Sequence, residues 1–159
     1  MLEGGCACGA VRYRLKSAPL FVHCCHCTSC QTETGSAFAI NALIESDRIE
    51  LLKGTPEPLP TPSESGRGQK IWRCPGCRVA LWSNYAGAGE AIGFVRVGTL
   101  DDPAALPPDI HIFTRSKLPW VRLPDGVPAV DVYYKPAEMW PAASQQRWRA
   151  ATGRGGARD

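Results

Sequence analysis

The chain has 159 residues, of which 44% are hydrophobic and 21% charged, so wholesale disorder is excluded and a single domain with a real core is expected. Sixteen glycines and 14 prolines, nearly a fifth of the chain, leave little room for long helices and favour short strands joined by turns. The net charge of +3 sits in the C-terminal stretch, where Arg147, Arg149, Arg154 and Arg158 face Asp159 alone; residues 1–146 are neutral, which argues against a nucleic-acid face.

From the N-terminus, Met1 to Cys6 shows no basic stretch followed by an apolar one, and no run approaches the roughly 18 apolar residues of a membrane span. A soluble, cytoplasmic protein is expected. Val11, Tyr13 and Leu15 alternate with Arg12, Arg14 and Lys16, which predicts a half-buried strand. Leu20-Phe21-Val22 predicts a short strand leading into a cysteine cluster, and Phe38–Ile40 and Ile49–Leu52 predict two more. Thr55 to Gly68 contains four prolines and reads as a loop. Lys70–Arg73 and Val79–Trp82 predict strands on either side of Cys74-Pro75-Gly76-Cys77, the strand–knuckle–strand order of a zinc ribbon. Ile92–Val97 predicts another strand, then a turn at Thr99–Pro103. Shorter pieces are expected around Ile110, Ile112, Trp120, Val130, Val132 and Tyr133. Ala142–Thr152 is the one stretch expected to be helical, and 147–159 is expected to be a basic, mobile tail. The fold class is therefore mainly β, in a single domain covering residues 1–146.

The eight cysteines fall in three groups. Without a secretion signal the compartment is expected to be reducing, so close CxC and CxxC spacings point to metal rather than disulfides. A CxxC knuckle lets two sulfurs reach one zinc, and Pro75-Gly76 supplies the turn chemistry. Cys6, Cys8, Cys74 and Cys77 make one four-ligand set, the composition of a structural zinc. Cys25, Cys27 and Cys30 make a CxCxxC that leaves a fourth position open, as catalytic zinc sites do. Closure of that site by Cys24, His23 or His26 is the alternative. Adjacent residues of an extended chain point to opposite faces, which argues against Cys24 and Cys25 sharing an ion. His26 is a candidate proton carrier, or else a residue that is solvated or sits just behind the ligands. His23 and His111 have weaker claims, and Trp82 and Trp120 read as core or pocket wall.

At this cysteine pattern the sequence resembles the family of glutathione-dependent formaldehyde-activating enzymes, which includes centromere protein V. The resemblance rests on Gly5-Cys6-Ala7-Cys8-Gly9, on Cys25-His26-Cys27-Thr28-Ser29-Cys30 with Thr34-Gly35-Ser36, and on Cys74-Pro75-Gly76-Cys77. It extends through Gly98–Pro103, His111-Ile112-Phe113, Ser116–Trp120 and Asp125–Pro128. It implies a β-tent-like fold and two Zn2+ per chain, with Cys6, Cys8, Cys74 and Cys77 at the structural site and Cys25, Cys27 and Cys30 at the catalytic one. It also implies glutathione and formaldehyde as the small thiol and small aldehyde, combined by a carbon–sulfur lyase-type activity. Where the family usually has a glycine and a small hydroxyl residue after the second knuckle, this chain has Arg78 and Val79. Two further readings compete: a non-catalytic, zinc-stabilised binding module, and a thiol-based redox sensor.

Overall fold

The computed structural model describes residues 1–153. Its strands in chain order are β1 (Leu2–Gly5), β2 (Arg12–Leu15), β3 (Phe21–Cys25), β4 (Ala39–Glu45), β5 (Ile49–Lys53), β6 (Glu57–Thr61), β7 (Gln69–Arg73), β8 (Ala80–Tyr85), β9 (Ile92–Arg96) and β10 (Ile110–Ile112). The α-helices are short: α1 (Thr28–Thr34), α2 (Pro136–Met139) and α3 (Ala142–Thr152). The mainly-β expectation is met. No helix among the described residues is long and apolar enough to cross a membrane.

Strands β1, β2 and β5 form a small antiparallel sheet. The alternation seen in the sequence of β2 is obeyed: Tyr13 and Leu15 are fully buried, whereas Arg14 stands outside and bridges Glu3 at 2.7 Å and Glu50 at 3.4 Å. The larger sheet runs β10-β3-β4-β9-β8-β7-β6, with β10 parallel to β3 and every other pair antiparallel.

Both faces of this sheet's centre are covered, which is why β3 is buried at all five positions and shows no alternation. Val22, Ala42, Ile44 and Val95 pack towards the small sheet with Tyr13 and Leu15. Their neighbours Phe21, Leu43, Ile92 and Phe94 face the other way, against Trp140 and Trp148 of the C-terminal segment. Parity along a strand thus decides which of two cores a residue joins.

Three features differ from expectation. The proline-rich stretch contains β6 rather than being loop throughout, paired to β7 with Pro58 opposite Trp72 and Pro60 opposite Lys70. It is an edge strand, and prolines two apart put both missing N–H groups on the same, outer side. Helix α1 lies outside the one stretch expected to be helical; the Cys27 side chain caps its start and Gly35, at φ 63°, ends it. The basic stretch from residue 147 begins inside α3, where Arg147 grips Glu45 at 2.6 and 2.8 Å and Trp148 is buried. Residues 154–159 of the expected tail lie outside the described residues.

Candidate metal centres

Cys6 and Cys8 leave the end of β1 in a tight turn, in which the Gly9 amide donates to the Cys6 carbonyl at 3.1 Å and the Val11 amide reaches the Cys6 sulfur at 3.2 Å. Cys74 and Cys77 form the β7–β8 knuckle, closed by the Arg78 amide donating to the Cys74 carbonyl at 3.0 Å. The two turns meet. Cys6 Sγ lies 3.5 Å from Cys8 Sγ, which lies 3.7 Å from Cys74 Sγ, and the four thiols are within 4.8 Å of one another. Sulfurs of a tetrahedral zinc stand about 3.8 Å apart, against about 2 Å in a disulfide. All eight cysteines are free. Donor set and spacing fit a zinc ion. Arg78, next to the knuckle, adopts φ 62°, the left-handed conformation that a glycine would take without strain.

The second group is built where β3 runs into α1. Cys24 and Cys25 point to opposite faces of the sheet, and Cys25 joins Cys27 and Cys30 with all three sulfurs within 4.8 Å. No fourth histidine, cysteine or carboxylate among the described residues joins them. The Cys30 amide donates to Cys27 Sγ at 3.3 Å. Thiol hydrogen bonds from Cys25, then Cys30, hold Cys27 well below the ordinary thiol range, while the same contacts push Cys25 and Cys30 up, so without a cation the trio favours a single thiolate, at Cys27. This set also fits a zinc ion. The loop is pinned from behind: Gln31 Nε2 donates to the His26 carbonyl at 2.8 Å and the Ser116 carbonyl at 2.9 Å, and the Ser116 hydroxyl donates to the His26 carbonyl at 3.0 Å.

The three sulfurs open onto a cavity of about 310 Å³ between the sheet and the C-terminal segment. Its sheet side presents His23, Asn41 and Phe94, and its far side Tyr134, Trp140 and Trp148. Trp140 Nε1 donates to the Tyr134 oxygen at 2.6 Å, and the Tyr134 hydroxyl shares a 2.5 Å hydrogen bond with His23 Nε2. Burial pushes His23 down to about 3, keeping it neutral. Arg96 holds the Asn41 side-chain oxygen from beneath.

A third group occupies the opposite face. Parallel pairing of β10 with β3 sets His111 beside Cys24, and His26 follows two residues later on the same side. His26 Nε2 lies 2.9 Å from His111 Nδ1 and 3.6 Å from Cys24 Sγ. All three are buried, while His26 Nδ1 and His111 Nε2 have no partner. Those two nitrogens stay unpaired with or without an ion; the three donor atoms lie within 4.8 Å of one another and could hold one, and without it they form a hydrogen-bonded bracket behind the ligand loop.

The structure therefore brings together the two predicted cysteine sets and keeps Cys24, His23 and His26 out of the second. Of the roles expected for His26, the structure places it behind the ligands, neither solvated nor on the cavity, and burial with the nearby His111 depresses it to about 4. Trp82 is core, as expected, but Trp120 is 70% exposed and belongs to neither core nor cavity. The cavity residues Asn41, Tyr85, Phe94, Tyr134, Trp140 and Trp148 had no signal in the sequence, because an aromatic residue facing a cavity and one facing the core have the same local pattern.

Residues 1–116, which include all eight cysteines, match the model of the family described as glutathione-dependent formaldehyde-activating enzyme. A Halomonas elongata protein provisionally given that same description is 28% identical over 130 residues, 77% of this chain and 81% of its own. A crystal structure of a Rhodobacter sphaeroides protein aligns at a TM-score of 0.48 and 20% identity, over 65% of this chain and 93% of that one.

Proposed function

Since the chain belongs to the family of glutathione-dependent formaldehyde-activating enzymes, we propose that it is a zinc-dependent, carbon–sulfur lyase-type enzyme acting on the adduct of a small thiol and an aldehyde. Glutathione and formaldehyde, giving S-(hydroxymethyl)glutathione, are the pair the family description suggests. The observation that carries the reading is that Cys25, Cys27 and Cys30 form a three-thiol group, without a fourth protein donor among the described residues, at the wall of a cavity.

In this reading Cys6, Cys8, Cys74 and Cys77 hold a structural zinc, and Cys25, Cys27 and Cys30 hold the catalytic one. The catalytic zinc would supply the positive charge that keeps an incoming thiol ionised at neutral pH. The chain does the rest by position. Cys27 is fixed at the helix start by the Cys30 amide, and the Gln31 and Ser116 contacts prevent the loop from relaxing. The cavity walls exclude bulk water from the three sulfurs, which strengthens their interaction with any cation. In the forward step the thiol sulfur bonds to the aldehyde carbon, the C=O π bond opens and the thiol proton ends on the carbonyl oxygen. Neutral His23, Trp140 and Tyr133 all hydrogen-bond the Tyr134 hydroxyl, so that group is engaged by the wall.

Exchange of formaldehyde between its hydrate and glutathione, followed by NMR, tests this. Zinc-loaded protein is expected to accelerate the exchange, and Cys27→Ser to abolish the acceleration. Protein with both sites loaded and no acceleration for any small thiol would return the chain to the binding-module reading.

A further inference from the structure

The cavity is far larger than formaldehyde needs. At a water's share of about 30 Å³ per heavy atom, its volume of about 310 Å³ corresponds to roughly ten non-hydrogen atoms, whereas formaldehyde has two. Nor does its wall suit a whole glutathione molecule, which brings two carboxylates and an ammonium. Among the described lining residues Arg67 is the one cation and Glu64 the one acid. Both lie on the Ser63–Arg67 segment, where Arg67 is exposed and Glu64 is already engaged by Arg115 at 3.4 Å. Much of the remainder is aromatic and deep: Phe94, Trp140 and Trp148 are buried, and Tyr85 and Tyr134 line the same wall. Tyr134 is committed to His23 and Trp140, and the Asn41 oxygen to Arg96, which leaves the Trp148 indole N–H and the Gln69 amide oxygen as the buried polar atoms of the lining without a partner, neither of them charged. A carboxylate driven into this end would lose its water without gaining a cation.

We infer that this cavity binds an apolar group of aromatic size, and that the aldehyde handled at the three-thiol site carries it. The inference rests on the reading of Cys25, Cys27 and Cys30 as the reaction site. The polar body of the thiol then lies towards Ser63, Glu64 and Arg67, and the aldehyde's side group lies on the aromatic wall. For an aryl aldehyde the product is the hemithioacetal RS–CH(OH)–Ar. One S–C bond forms, the C=O π bond opens, the thiol proton moves to the oxygen, and no oxidant or reductant is consumed.

Two measurements on the zinc-loaded full chain test the inference. Benzyl alcohol, which cannot react, should bind saturably by saturation-transfer NMR, and Ala88→Phe, which places a ring in the cavity, should weaken that binding at least tenfold. Thermal melting of the variant confirms that it is folded; if it is not, Trp148→Phe with the wild-type binding curve serves instead. In exchange NMR with glutathione, acceleration over the spontaneous rate should be at least tenfold greater for benzaldehyde than for formaldehyde. No saturable benzyl alcohol binding up to about 10 mM, or equal acceleration of the two aldehydes, overturns the inference. Binding of benzyl alcohol with no acceleration of either aldehyde overturns the proposed reaction instead, and leaves the apolar cavity standing.

Discussion

Replacing Cys74 or Cys27 by serine removes one thiolate from each proposed zinc site, and the two losses should not be equal. Cys74 and Cys27 are 0% and 3% exposed, so the cost of burying a serine hydroxyl largely cancels between them. What differs is the length of chain each metal closes. Cys8 and Cys74 are 66 residues apart, for which the chain-entropy relation for a crosslink gives about 4.4 kcal/mol. Cys25 and Cys30 close only a short loop, worth about 2 kcal/mol by the same relation. Serine at position 27 can also still accept the Cys30 amide and cap α1, which protects that helix. For a domain of this size each kcal/mol moves Tm by about 2–4 °C, so Cys74→Ser should melt roughly 9–18 °C lower and Cys27→Ser roughly 4–8 °C lower. Scanning calorimetry of zinc-loaded wild type and both variants, with metal content measured on each, makes the comparison. The wild type melted with excess chelator should fall at least as far as Cys74→Ser. Equal shifts for the two variants, or a larger one for Cys27→Ser, would refute the assignment of stapling to one site and chemistry to the other.

Other consequences are smaller but distinct. Arg78→Gly relieves a left-handed residue of about 1 kcal/mol of strain and loses only an exposed pair with Glu57, so urea unfolding should show equal or slightly higher stability, whereas Arg78→Val should lose more than 1 kcal/mol. Arg147→Ala leaves the Glu45 carboxylate buried with only Arg48 at 3.4 Å, and should cost about 1–2 kcal/mol at pH 7. Burial raises Glu45 but Arg147 outweighs it and lowers its pKa, so the contribution is present above the ordinary carboxylate value and is lost as pH falls through the lowered one; the wild-type and Arg147→Ala stability curves should converge in acid. His26→Ala removes a fully buried ring from the bracket with His111 and Cys24, and should lower stability by about 2 kcal/mol or more in chemical denaturation. Trp120→Ala, at a 70% exposed site, should leave the melting temperature unchanged.

The metal-binding sets were legible because their signal is chemical and local. CxC and CxxC fix which sulfurs can share an ion before any tertiary contact is known, and the need for four ligands pairs the turn at Cys6 with the knuckle at Cys74. The alternation of Tyr13 and Leu15 with arginines was read from periodicity alone, and α3 falls on the one stretch expected to be helical. β6 was not, because proline excludes central strands and edge strands unequally, and position in a sheet is not a local property. The role of His26 was not either, since a histidine inside a ligand run carries no sign of which face it takes.

That question shows where the sequence stops. The residues themselves determined the ligand chemistry, the strand-rich composition and the opposite aim of Cys24 and Cys25, because these follow from side-chain identity and the two-residue period of an extended chain. Only the tertiary structure decided what lies beyond each sulfur. Pairing of β10 beside β3 put His111 behind the loop, and the return of the C-terminal segment across the sheet walled the three thiols with Tyr134, Trp140 and Trp148. His111 lies 85 residues beyond His26, and Tyr134 lies 111 beyond His23; a cavity is a property of the gap between packed elements, which no single element's sequence contains.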